Sequence, residues 1–172
     1  MRAFVALLRA VNVGGTGKLP MTELKAMCED AGFRSVRTYI ASGNVVFQSA
    51  KSEAQVKSAL ETALAAYAGK PVGVLVRTAA EMAAVLAHNP FPQMAGNRTL
   101  AIFLDQTPGN NALETVCNQT SEQIRLGERE IYVCYADGMR DSKLKIPAAK
   151  HGTARNMNTI AKLAEMAAKL DS

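Results

Sequence analysis

The chain has no tryptophan, and its aromatic residues amount to only 5% of 172. A core must therefore be filled by Ala, Val, Leu, Ile and the 8 methionines rather than by large rings. Cysteine is scarce too. Cys28, Cys117 and Cys134 are odd in number, far apart and without a Cys-x-x-Cys, which argues against a disulfide scaffold and fits reduced thiols in a cytoplasm. The two histidines, His88 and His151, stand in separate segments, so no metal site is expected. No stretch approaches the ~20 apolar residues of a membrane-spanning helix. The apolar run 3–8 is cut by Arg9 and enters a polar glycine loop, unlike a secretory leader. Charge of one sign is only slightly in excess, at +5 from 20 basic and 15 acidic residues. That balance permits an anionic ligand and does not demand nucleic acid. The composition points to a cytoplasmic protein with no membrane partner and no cofactor.

What is present is a chain with 48% hydrophobic residues, enough for one domain or two small ones. Residues 3–11 read as an apolar strand. A loop over 13–20 follows, and Pro20 opens a helix with the stripe Leu24, Met27, Cys28, Ala31, closed by Gly32. Residues 36–41 and 45–48 read as strands turning at Ser42-Gly43-Asn44. Ser52 caps a second helix with the stripe Val56, Ala59, Leu60, Ala63, Leu64 and Tyr67, stopped by Gly69-Lys70-Pro71, and 72–77 is a strand. The order over residues 1–78 is βαββαβ, a ferredoxin-like unit. Its first and last strands are expected to be central neighbours.

Residues 79–97 read as a short helix and a proline-containing linker. Residues 98–172 give a strand at 98–105, a short helix at 108–117, strands at 123–126 and 130–135, a basic loop at 137–152, and a helix capped by Thr153. This is a second, incomplete ferredoxin-like unit, βαββα, lacking its last strand. The fold class is α+β. The two halves share an order of elements but no visible sequence identity, so duplication is a topological reading only.

Three segments carry a family resemblance. They are Leu7-Leu8-Arg9-Ala10-Val11-Asn12-Val13-Gly14-Gly15 with Lys18 and Met21; Thr38-Tyr39-Ile40-Ala41-Ser42-Gly43-Asn44-Val45-Val46-Phe47; and Gly152-Thr153-Ala154-Arg155-Asn156-Met157-Asn158-Thr159. Together they resemble the DUF1697 family of uncharacterised bacterial proteins, over nearly the whole chain. That family usually places tryptophan where this chain has Met157. The resemblance implies an α+β fold of ferredoxin-like parts and implies no assigned activity.

The chemistry-bearing residues gather at expected strand ends. Gly14-Gly15-Thr16-Gly17-Lys18 would let backbone N–H groups and a lysine approach an anion. It is not a Walker A loop, because Asn12 and Leu19 stand where glycine and Ser/Thr are required. It is not a dinucleotide fingerprint, because Pro20 stands at the third glycine. A plain strand-to-helix crossover would also use these glycines. Arg9 is in phase with Val5 and Leu7, so burial is expected, with a ligand anion or an acidic residue of the second half as partner. Asn12 reads as a bond to the loop backbone. Ser42 and Asn44 read as turn residues that could face the glycine loop. No Gly-x-Ser-x-Gly makes Ser42 a nucleophile. Tyr39 and Arg37 share a polar strand face that could stack and pair with a nucleotide, or form an exposed ridge. Arg155 and Asn156 are expected in the first turn of the last helix, presented to an anion or merely following a capping threonine.

Three functions follow. The first is a protein binding a small phosphate- or carboxylate-bearing ligand in a cleft between the halves, with Arg9, Lys18 and Arg155 converging; no catalytic residue can be named. The second is a nucleic-acid module on a ferredoxin-like sheet, although Asn44-Val45-Val46-Phe47-Gln48 lacks the basic-glycine-aromatic signature. The third is a regulatory or interaction protein without catalysis.

Overall fold

The computed structural model describes residues 1–10 and 18–171. It is a mixed α+β chain with two four-stranded antiparallel sheets and four helices among the described residues. The chain divides into two units, Met1–Ala83 with Lys162–Ser172, and Ala84–Ala161. The division by sequence keeps the last helix with the second half, whereas residues from Lys162 onward group with the first unit.

The first sheet contains β1 (Arg2–Leu8), β2 (Arg34–Thr38), β3 (Asn44–Ser49) and β4 (Val74–Thr78) in the order β2-β3-β1-β4. β1 and β4 are neighbours, with Val5 opposite Arg77 and Leu7 opposite Leu75. β4 is an edge strand, however, not a central one. Six consecutive residues of β1 are buried, because an apolar strand between two partners is covered on both faces. Phe4, Ala6 and Leu8 enter one core with Val45, Phe47, Val74 and Val76.

Two helices cover that core. α1 (Met21–Asp30) contributes Leu24 and Cys28. Its end is fixed by Gly32 at φ 89°, with Phe33 N–H donating to Cys28 O and Gly32 N–H to Glu29 O. This double closure needs the left-handed backbone that glycine adopts without strain. α2 (Glu53–Ala68) buries Val56, Leu60 and Leu64, and begins with a capping box between Ser52 and Gln55. Gly69 ends it at φ 72°. α3 (Ala79–Ala87) follows β4 without a loop. The last turn of α4 (Met157–Asp171) is tied to this sheet: Ala3 N–H donates to Asp171 Oδ1 at 3.0 Å and Gln48 Nε2 donates to Leu170 O at 2.7 Å.

The second sheet contains β5 (Thr99–Phe103), β6 (Gln123–Leu126), β7 (Glu130–Cys134) and β8 (Thr153–Asn156) in the order β6-β7-β5-β8. Two expectations are corrected. The strand thought to be missing is β8, which pairs with β5 through Phe103↔Thr153 and Ala101↔Arg155. Thr153 is therefore a strand residue, and the cap of α4 is Asn156, whose Oδ1 accepts from Thr159 N–H at 2.9 Å. What this unit lacks is the short helix expected at 108–117. That segment closes isolated turns, such as Ala112 N–H to Gly109 O, because Gly109, Asn110, Asn111 and the β-branched Thr115 and Val116 are poor helix formers.

Irregular chain covers one face of this second sheet instead. Leu113, Val116, Leu144, Ile146 and Ala149 pack on Leu104, Ile124, Ile131 and Val133. Cys117 and Lys145 exchange backbone hydrogen bonds of 2.9 and 3.0 Å across the two connections. The Glu122 carboxylate adds a second tie, accepting from Thr120 N–H and from the hydroxyls of Thr120 and Ser142. Gly152 enters β8 where a Cβ would lie 2.6 Å from Phe103 O, so only glycine fits without a shift.

The Ser142 hydroxyl and the Thr120 N–H hold the Glu122 carboxyl down at about 2, from an ordinary 4.5. A depressed folded-state pKa contributes stability that is complete above the unfolded value and is lost as pH falls toward the folded one. Glu122→Gln is therefore expected to be less stable than wild type at pH 7, with the gap narrowing between about pH 4.5 and pH 2. Parallel thermal melts across that range check it; a gap that stays constant from pH 7 to pH 2 would refute the assignment.

Candidate functional site

One rim of the first sheet collects most of the described polar candidates. β1 ends there, the β2–β3 connection turns there, and β4 begins there. Leu8 N–H donates to Gly43 O at 2.8 Å, and Arg9 N–H donates to Gly73 O at 2.9 Å. The stem of Arg9 lies across Gly73, where a Cβ would sit 3.5 Å from its Cβ and Cδ.

Asn44 is the frame of the turn. It is fully buried as the first residue of β3, not at the tip as expected, and stands opposite Leu7. Its Nδ2 donates to Tyr39 O and to Ser42 Oγ, both at 2.9 Å, while its carbonyl accepts from Tyr39 N–H at 2.9 Å. Asparagine is required because one side chain must supply two donors inside a five-residue turn. The Ser42 oxygen is an acceptor in this frame.

The same rim concentrates costly backbone. Ala10 has φ 55°, Ile40 φ 50° and Gly43 φ 90°. Gly43 adopts this freely. Ile40 does not: a β-branched residue in the left-handed region is an outlier worth about 1–3 kcal/mol. Its side chain is 50% exposed, so core packing does not explain its presence.

Arg9 follows the end of β1 and is exposed, which corrects its expected burial; the strand phase that would turn it inward stops at Leu8. Lys18 is exposed and Tyr39 is half-buried. Asn12, Gly14 and Gly15 lie outside the described residues. Arg155 is not in a helical first turn. It is buried in β8, its Nη1 donating to Thr153 Oγ1 at 2.7 Å and to Ala154 O at 2.9 Å. Burial pushes its guanidinium down to about 10, which leaves it charged at neutral pH. Asn156 is engaged as the α4 cap.

The sequence reading missed Arg77, the largest fully buried side chain, at 1% exposure. Its Nη1 donates to Val76 O at 3.0 Å. Thr78 follows and caps α3, its Oγ1 accepting from Glu81 N–H while Glu81 Oε1 accepts from Thr78 N–H. Arg155-Asn156 repeats this device at the end of the second sheet: a buried arginine bonded to the preceding carbonyl, then a cap, then a helix. The readable signal was an arginine inside an apolar strand, directly before a Thr or Asn that starts a helix.

Cys28 is not a nucleophile, since burial and the nearby Glu29 push its thiol up to about 12. All three thiols are free. Among the described residues no His, Cys, Asp or Glu cluster could hold a metal ion, and no helix is long and apolar enough to cross a membrane.

The family model described as a protein of unknown function, DUF1697, matches residues 1–132. The rim lies inside that match, whereas the segment from Gly152 to Thr159 lies beyond it. No curated protein matches the chain. Among solved structures, a conserved bacterial protein from Streptococcus pneumoniae is similar at 27% identity and a TM-score of 0.78, over 96% of this chain and 98% of its own.

Proposed function

Since the chain belongs to the DUF1697 family of proteins of unknown function, we propose that it binds a small phosphate- or carboxylate-bearing ligand at the rim of its first sheet, through Arg9 with Lys18. The observation that carries this reading is backbone in the left-handed region at Ala10, which follows the exposed Arg9, and at Ile40, inside the turn framed by Asn44. Such strain persists where the surroundings over-determine it and clusters at binding sites. Among the described residues no nucleophile–base pair accompanies it, and the chemistry proposed for the site is charge and positioning.

A ferredoxin-like reading of both units is supported by their matching strand orders, β2-β3-β1-β4 and β6-β7-β5-β8, and duplication by the repeated arginine-cap junction. A cytoplasmic setting is supported by the three free thiols. The nucleic-acid reading is disfavoured, because stacking bases needs an open sheet face, and Val5, Leu7, Val46 and Leu75, on the face away from α1 and α2, are all buried.

Thermal shift with inorganic phosphate and with citrate tests the proposal. A ligand at 100 times its Kd stabilises by about 2.7 kcal/mol, or about 5–10 °C for a protein of this size. The shift is expected in wild type and lost in Arg9→Ala, each read against that protein's own unliganded melt. Equal shifts in both proteins, or none in wild type, would end the proposal.

A further inference from the structure

The strain at Ile40 serves more than charge recognition. Asparagine or glycine would hold φ 50° at little cost, yet the position carries a branched aliphatic side chain that is 50% exposed. Half-buried Tyr39 precedes it, and the turn beneath is locked by Asn44. A side chain that costs stability and leaves half of itself exposed is retained for what it touches from outside.

We infer that Ile40 is a recognition side chain for the apolar body of the ligand, so that the ligand class is an anionic head group joined to an apolar or flat-ring portion. This rests on the anion site proposed above. A bare anion would leave Ile40 without a use, whereas an organic phosphate would place its head at the cationic rim and its body on Ile40. An acyl chain and a nucleobase share this chemistry, and the probes separate them.

The test compares inorganic phosphate, octyl phosphate and adenosine monophosphate on wild type and on Ile40→Asn. Asparagine tolerates the left-handed backbone, so the substitution removes the apolar surface and keeps the turn. The variant is expected to melt at or above the wild-type temperature. In wild type, one of the two organic phosphates is expected to bind at least about tenfold more tightly than inorganic phosphate, and in Ile40→Asn that increment is expected to vanish while inorganic phosphate binds unchanged. Octyl phosphate as the tighter probe assigns an acyl ligand, and adenosine monophosphate a nucleotide. An increment retained in Ile40→Asn, or no increment in wild type, overturns this inference and leaves the anion site standing. A variant that melts well below wild type also overturns it, because Ile40 would then be holding the fold. Absence of any phosphate binding to wild type defeats the anion site itself.

Discussion

Replacing Phe47 by alanine is expected to cost about 3–5 kcal/mol, a large part of the stability of an ordinary domain. Phe47 is fully buried in the middle of β3. Its ring stacks on Phe33 at 4.3 Å and 6° and approaches Phe4 at 6.1 Å. With only 5 phenylalanines and no tryptophan in the chain, this cluster holds three of its five phenylalanine rings. Smaller neighbours such as Val45 and Val56 cannot reach across the space an alanine would leave, so a cavity remains. At about 2–4 °C per kcal/mol, the melting temperature should fall by roughly 10 °C or more. Phe47→Leu, which keeps most of the volume, should lose far less. Urea denaturation of the two variants beside wild type checks the ranking; comparable losses would mean that ring stacking, not filled volume, dominates.

Arg77→Ala is expected to be nearly as damaging, at about 2–5 kcal/mol. Arg77 is buried and stands opposite Val5 in the register of β1, so its stem fills space just before β4 becomes α3. Truncation removes that packing and leaves the groups it satisfies without a donor. Arg77→Met keeps the stem and removes the head group, and should fall between alanine and wild type. Arg155→Ala should show a loss of similar kind, because Arg155 occupies the same place in the second sheet. Chemical denaturation of the three variants measures these differences. Should Arg77→Ala lie within about 1 kcal/mol of wild type, the junction would owe its geometry to the Thr78–Glu81 cap alone.

Local chemistry made much of the first unit legible. Gly32 and Gly69 ended helices, Ser52 capped one, and Val56, Leu60 and Leu64 of the expected stripe faced the core while Tyr67 did not, since each signal acts within a few residues of where it is read. The second unit was less legible. Its crossovers carry no helical period, and β8 is only four residues long, so Thr153 looked like a cap when its strand character comes from pairing with β5.

The same contrast holds at the candidate site. Sequence alone brought Arg9, Tyr39, Ser42 and Asn44 under one suspicion, because polar residues at the ends of apolar strands meet at a sheet's rim. It could not show that Arg9 emerges to solvent, that Asn44 is the buried frame of its turn, or that Ile40 is held at a left-handed backbone. Nor could it show that Arg77 and Arg155 are buried. Composition and periodicity fix which residues prefer burial and which local bonds can close. Whether an arginine is buried depends on strands distant in sequence that pair beside it, and only the tertiary structure decides that.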